Sequence, residues 1–127
     1  MIYGVGTDLI EVRRIERALE RFGDRFARRI LCEPELRRFQ GHRQPAAYLA
    51  KRFAAKEAFT KALGTGIHAP ANWHGVWVSN LRSGKPVLEF SFALKQLLEA
   101  RHIRGAHLSL TDEHLIACAT VILECDG

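Results

Sequence analysis

The 127-residue sequence predicts an α+β fold: a small, mainly antiparallel sheet packed with one long and several shorter helices. Three observations carry that prediction. One long stretch, 45–63, reads as a helix at about 100° per residue and ends at a Gly-rich bend, GTG at 64–66. Strand-like runs open and close the chain, at 2–10, 106–110 and 115–124. Between them a turn signal, SGK at 83–85, separates two short apolar runs and reads as a hairpin.

Residues 2–10 (IYGVGTDLI) form the first strand, and Gly4 and Gly6 mark it as a place where another element comes close to the backbone. Its one ionisable residue, Asp8, stands near the strand's end. A carboxylate there is costly unless paired, hydrogen-bonded or bound to metal. It therefore either caps the next helix or acts as a metal or catalytic ligand. Residues 12–22 form an amphipathic helix with Val12, Ile15, Ala18, Leu19 and Phe22 as its apolar stripe. Arg13, Arg17 and Arg21 make a like-charge ladder beside Arg14, partly offset by Glu16 and Glu20. This is either a solvated mixed-charge face or a helix that docks on an anionic surface. Asp24 can cap a short helix over 25–31, Pro34 suits the first turn of one reaching about residue 39, and Pro45 starts the long helix. Residues 64–75 are turn-rich and read as loop. A strand at 76–79 and its partner at 86–90 flank the SGK turn, and 92–101 form a helix with Leu94, Leu97 and Leu98 inward. The last two strands surround a turn at 111–114. No repeat or linker interrupts the chain, so 1–127 is expected to be one domain.

On the long helix, Leu49, Phe53, Phe59, Ala62 and Leu63 crowd one arc. Glu57 and Lys61, four apart, share a face off that arc. By spacing alone they are an ordinary surface pair worth a few tenths of a kcal/mol. Lys56 falls inside the arc, so it must snorkel, meet another subunit, or hold a ligand.

Hydrophobic content of 47% with 26% charged residues is an ordinary globular balance and excludes a disordered chain. No apolar run approaches a membrane span and no signal segment opens the sequence, so a cytoplasmic protein with no membrane partner is expected. Cys32, Cys118 and Cys125 form an odd set without CxxC, which suits reduced thiols. The six histidines have no zinc-ligand spacing. Net charge is +5, and nine arginines against five acidic residues lie between 13 and 38, so the excess is local. Such a patch suits a polyanionic partner: nucleic acid, phosphate or an acidic protein.

Three segments together carry a further signal: GVGTDLIEVRRI at 4–15, RFAAKEAFTKALGTGI at 52–67, and SGKP at 83–86 with HLSLTDEHLIACATVILE at 107–124. In order and spacing they resemble the holo-acyl-carrier-protein synthases, bacterial 4′-phosphopantetheinyl transferases. The resemblance implies the 4′-phosphopantetheinyl transferase-like fold. It also implies transfer of 4′-phosphopantetheine from coenzyme A to a serine of acyl carrier protein, releasing adenosine 3′,5′-bisphosphate, in support of fatty acid biosynthesis. By resemblance Asp8 and Glu57 hold Mg²⁺, and Asp8, Glu57 and Lys61 form the catalytic set. Lys61 would hold the phosphates and stabilise or protonate the leaving group, while either Glu57 or a metal-bound water takes the serine proton. The resemblance further places Gly64, Gly66, Gly84, Lys85, Pro86, His107, Ser109 and Thr111 around the coenzyme, and Arg52, Lys56 and Lys61 are cationic candidates for its phosphates. One departure is that Asp112 stands where many members have histidine, with His114 two residues on. The acidic carrier protein would dock on the first long helix, on Arg14 and Arg21, with Arg13, Arg17 and Arg25 behind them. A homotrimer with sites between subunits is also implied. Two other readings compete: a small basic nucleic-acid-binding α+β domain, and an inactive scaffold that only binds carrier protein. Trp73, Trp77 and Phe90 do not interleave with the basic patch as a stacking platform would, so no nucleic-acid partner is expected.

Overall fold

The computed structural model describes residues 1–126. In chain order the elements are β1 (Ile2–Glu11), α1 (Val12–Phe22), α2 (Asp24–Ile30), α3 (Glu33–Gln40), α4 (Pro45–Leu63), β2 (Val76–Asn80), β3 (Pro86–Phe90), α5 (Phe92–Ala100), β4 (Ile103–Glu113) and β5 (Ile116–Cys125). The α+β class and the antiparallel pairing are as the sequence predicts. The strands, however, form two sheets: a three-stranded one in the order β1-β5-β4 and the separate hairpin β2-β3. The hairpin's short strands satisfy each other in register, Val76 with Phe90 through Asn80 with Pro86. β3 lies beside β4 without a shared ladder.

Helix α4 organises the molecule because it is small enough to be approached from every side. Ala50, Ala54, Ala55 and Ala58 are fully buried, as are Leu49 and Phe59. The predicted apolar arc is therefore part of a helix enclosed nearly all round. Burying a side chain such as Phe59, stacked at 5.2 Å on Phe90, contributes roughly 1.5–3 kcal/mol. On β1 the two glycines do what the sequence suggests. A Cβ at Gly4 would lie 2.0 Å from the Ala62 carbonyl oxygen, and one at Gly6 would lie 1.9 Å from that of Ala58. Strand and helix backbones touch here, and Asp8 follows on the same face of the strand.

Three local expectations are corrected. The turn predicted at 111–114 shrinks to His114 and Leu115, because pairing continues to Glu113 with Ile116. Thr111 and Asp112 are thus strand residues, and His114 takes the left-handed backbone (φ 55°) that a tight hairpin connection needs. Gly23 occupies the N-cap of α2, so Asp24 is the helix's first residue and makes no side-chain cap. Phe22, placed in the apolar stripe of α1, is 51% exposed with Arg21 lying over its ring. The stripe ends where α1 rises off α4, leaving Val12 and Ile15 as its buried residues.

Candidate active site

The seam between β1 and α4 brings Asp8, Glu57 and Lys61 together. Lys61 Nζ donates to Asp8 Oδ1 at 3.1 Å and to the Thr7 carbonyl at 3.0 Å, joining helix to strand across 53 residues of sequence. Asp8 is not a cap, since Glu11 holds that position on α1. Glu57 is half-buried, and burial first, then the nearby Asp8 charge, push its carboxyl above the ordinary glutamate value, with Lys61 opposing. Two carboxylates side by side favour the arrival of a cation. They are hard oxygen donors, and among the described residues no third His, Cys, Asp or Glu joins them. That donor set suits a metal that keeps several waters, which is the habit of Mg²⁺.

Lys56 is corrected. It neither snorkels nor meets a ligand: the residue is fully buried. Its ammonium donates to Glu35 Oε1 at 2.7 Å, to the Ile30 carbonyl at 2.6 Å and to the Trp73 carbonyl at 2.8 Å. All three N–H donors are used inside the protein, so none is left for a coenzyme. Glu35, which carried no signal in the sequence beyond that of a first-turn acid, also accepts from the backbone of Cys32 and of Val78.

Arg52 lies elsewhere. With Arg37, Arg38, Arg82, Lys51 and His42 it lines a cavity of about 650 Å³ that includes Gly84 and has no acidic residue in its wall. Arg52 is 5% exposed, its guanidinium lies 4.1 Å over the Tyr48 ring, and its Nε is buried without a partner among the described residues. Burial pulls it below its ordinary value, yet a guanidinium stays charged. The side-chain oxygen of Asn80 accepts from Arg38 and, at 3.2 Å, from Arg52. Nothing in the sequence singled out Asn80 or Arg38 for this cavity; their only cue was nearness to the SGK turn and to the basic patch.

The other expected coenzyme residues are dispersed. Lys85, Pro86, His107 and Ser109 share a smaller cavity at the outer face of the large sheet, where His107 also pairs with Glu124. Thr111 lies at the far end of β4, near Leu9 and Cys118. Gly64 and Gly66, both with positive φ, end α4 in exposed positions. Asp112 pairs with Lys51 at 3.3 Å, a use of the position quite unlike a histidine's. Arg52 and Lys61 are nine residues apart on α4, about 180° around the helix. The carboxylate seam and the cationic cavity therefore face opposite ways within one chain.

Arg13, Arg14, Arg17, Arg21 and Arg25 are all exposed, and among the described residues none forms an ion pair. The aromatics are used elsewhere, Trp73 on Phe53 and Phe90 on Phe59. The one exposed ring on α1, Phe22, is covered by Arg21, so these aromatics lend no support to a nucleic-acid-binding domain.

The profile of the 4′-phosphopantetheinyl transferase superfamily matches residues 4–119. Holo-[acyl-carrier-protein] synthases from Nitrosospira multiformis and Vibrio cholerae are 50% and 49% identical over 124 residues, which is 98% of this chain and 99% and 98% of those proteins. The crystal structure of the holo-[acyl-carrier-protein] synthase from Neisseria meningitidis superposes with a TM-score of 0.95 at 44% identity, covering 98% of this chain and 99% of that one. The Bacillus anthracis enzyme, solved in complex with CoA (3′,5′-ADP), superposes with a TM-score of 0.83 at 38% identity, covering 99% of each. The chain belongs to the holo-[acyl-carrier-protein] synthase family.

Proposed function

We propose that this chain transfers 4′-phosphopantetheine from coenzyme A to a serine of apo-acyl carrier protein, giving the holo-protein and adenosine 3′,5′-bisphosphate. It would do so with Mg²⁺, in the cytoplasm, and in the service of fatty acid biosynthesis. The observation that carries this is the Asp8–Glu57–Lys61 cluster at the β1–α4 seam, in a family whose members bear that activity in their name.

In the reaction the serine oxygen bonds to the β-phosphorus, the pyrophosphate bridge breaks, and the serine proton leaves. Asp8 and Glu57 would hold Mg²⁺, whose charge would neutralise the pyrophosphate. Lys61 holds a second positive charge beside those carboxylates and is half-exposed, free to move from Asp8 to a phosphate oxygen and stabilise the leaving bisphosphate. The serine proton would go either to the free carboxylate oxygen of Glu57 or to a water beside it. Positioning and charge stabilisation do most of the work in such phosphoryl chemistry.

A homotrimer with sites between subunits fits the layout. Seam and cavity face apart within one chain, so a neighbour's cavity can complete each seam. The outer face of the large sheet offers the surface for it, with Val5 58% and Leu9 66% exposed. The unpaired arginines of α1 and α2, led by Arg14 and Arg21, suit the acidic carrier protein. The test is intact-mass spectrometry of apo-acyl carrier protein incubated with this protein, coenzyme A and Mg²⁺. A gain of one phosphopantetheine, lost with EDTA, is the expected result. No gain with several carrier proteins, and no binding of coenzyme A, would overturn the assignment.

A further inference from the structure

Asn80 is a residue to which the reaction assigns nothing, yet it sits at the centre of the cationic cavity. Its Oδ1 accepts from both Arg38 and Arg52, and its Nδ2 donates to the Gly84 carbonyl at 3.0 Å. The partners fix the amide's orientation, because a carbonyl can only accept and guanidiniums can only donate. We infer that Asn80 is a positioning residue for the coenzyme: it aims two guanidiniums into the cavity without spending their charge. This rests on the coenzyme reading above.

The choice of side chain is the core of the inference. Among the described residues Arg38, Arg52 and Arg82 have no carboxylate partner and repel one another across the cavity, whereas Arg37 pairs with Glu33 and Lys51 with Asp112. A carboxylate at position 80 would hold Arg38 and Arg52 more firmly, but it would also cancel the field that attracts a phosphate. A neutral amide oxygen is an acceptor that orients them and leaves both charges available. The layer beneath follows the same logic. Each of the three converging residues lies one turn or one pleat from a member of the buried Glu35 network: Arg52 from Lys56, Arg38 from Glu35, and Asn80 from Val78. That network joins α3, α4 and β2, the elements that bring the three residues to one point. Its own charges are cancelled internally, Glu35 against Lys56 at 2.7 Å. The Glu35 charge is thus spent inside the core, and the carboxylates that reach lining residues, Glu33 and Asp112, pair with Arg37 and Lys51 rather than with Arg38 or Arg52.

The experiment is calorimetric titration of coenzyme A into the wild-type chain, Asn80→Ala and Asn80→Asp, with melting temperatures and steady-state kinetics of each. Asn80→Ala should weaken coenzyme A binding about tenfold. Asn80→Asp should weaken it at least as much, because it adds a negative charge and gives up the donation to the Gly84 carbonyl. Both should raise KM for coenzyme A, with kcat at saturation and KM for carrier protein nearly unchanged. Wild-type affinity in Asn80→Asp overturns the inference, because that variant keeps an acceptor for both guanidiniums and places a negative charge between them. Wild-type affinity in Asn80→Ala does the same. A wild-type chain that binds no coenzyme A removes the function reading itself, a failure distinct from these.

Discussion

Helix α4 carries two lysine–carboxylate pairs five residues apart, and they have opposite characters. Lys56 and Glu35 are both fully shielded at the side chain, whereas Lys61 and Asp8 are 53% and 16% exposed. In the first pair every donor of the ammonium is taken. In the second, the ammonium has two partners and open solvent beside it. The buried pair is a fastening that cannot exchange partners; the open one can trade a carboxylate for a phosphate. Both are lysine–carboxylate contacts, at 2.7 and 3.1 Å, and burial is what most separates the two.

The largest way to sharpen that contrast is at the open pair. Under the proposed mechanism Asp8→Ala or Glu57→Ala should lower turnover about 10³-fold or more, since each would remove a ligand to the charge-neutralising cation. Melting temperature should hardly move. Loss of the fold instead of the rate would break the comparison. Next comes the buried pair. Lys56→Ala leaves Glu35 charged and unmatched, and should cost about 3–5 kcal/mol in urea unfolding. The joint replacement Glu35→Leu with Lys56→Met should recover most of this, because two apolar groups of similar volume need no pairing. A catalytic loss in Lys56→Ala without destabilisation would reverse the roles assigned to the two lysines.

Smaller effects test the surroundings. Arg14→Glu should raise KM for carrier protein about tenfold and steepen no dependence on coenzyme A. Equal effects on both substrates would remove Arg14 from the docking face. Smallest is a linkage effect at Glu57. Its folded value is raised, so its contribution to stability is full below the unfolded value near 4.5 and is lost as pH rises through the folded value. In EDTA, Glu57→Gln should therefore melt about a degree or two above wild type at pH 7, and the gap should close near pH 4. A gap that persists at pH 4 would mean that packing, not charge, is responsible.

Much of this was legible in the sequence. Pro34, Pro45 and Gly64 punctuate the helices where they were expected to, and Gly4 and Gly6 announced the contact with α4. The Asp8, Glu57 and Lys61 cluster followed from motif resemblance, and the geometry joins its members. Lys56 was misjudged because its counterion, Glu35, lies on another helix, and no local pattern encodes a partner 21 residues away. Asn80 was missed for the same reason: its role exists only where α3, α4 and the hairpin meet. The length of β4 was underestimated because Thr111 to Glu113 look like turn residues, while ladder bonds to β5 override that preference.

The glycine contacts on β1 have a consequence for tolerance. In most enzymes the gap between two catalytic elements is set by side chains, which act as shims that mutation can thicken or thin. Here no shim exists. A Cβ at Gly6 would need the Ala58 carbonyl to retreat from 1.9 Å to the 3.4 Å at which ordinary contact begins. The gauge between Asp8 and its partners on α4 is therefore cut in main chain, the one material that substitution cannot resize. Sequence drift elsewhere in the core can change how firmly the protein holds together while leaving that gauge untouched.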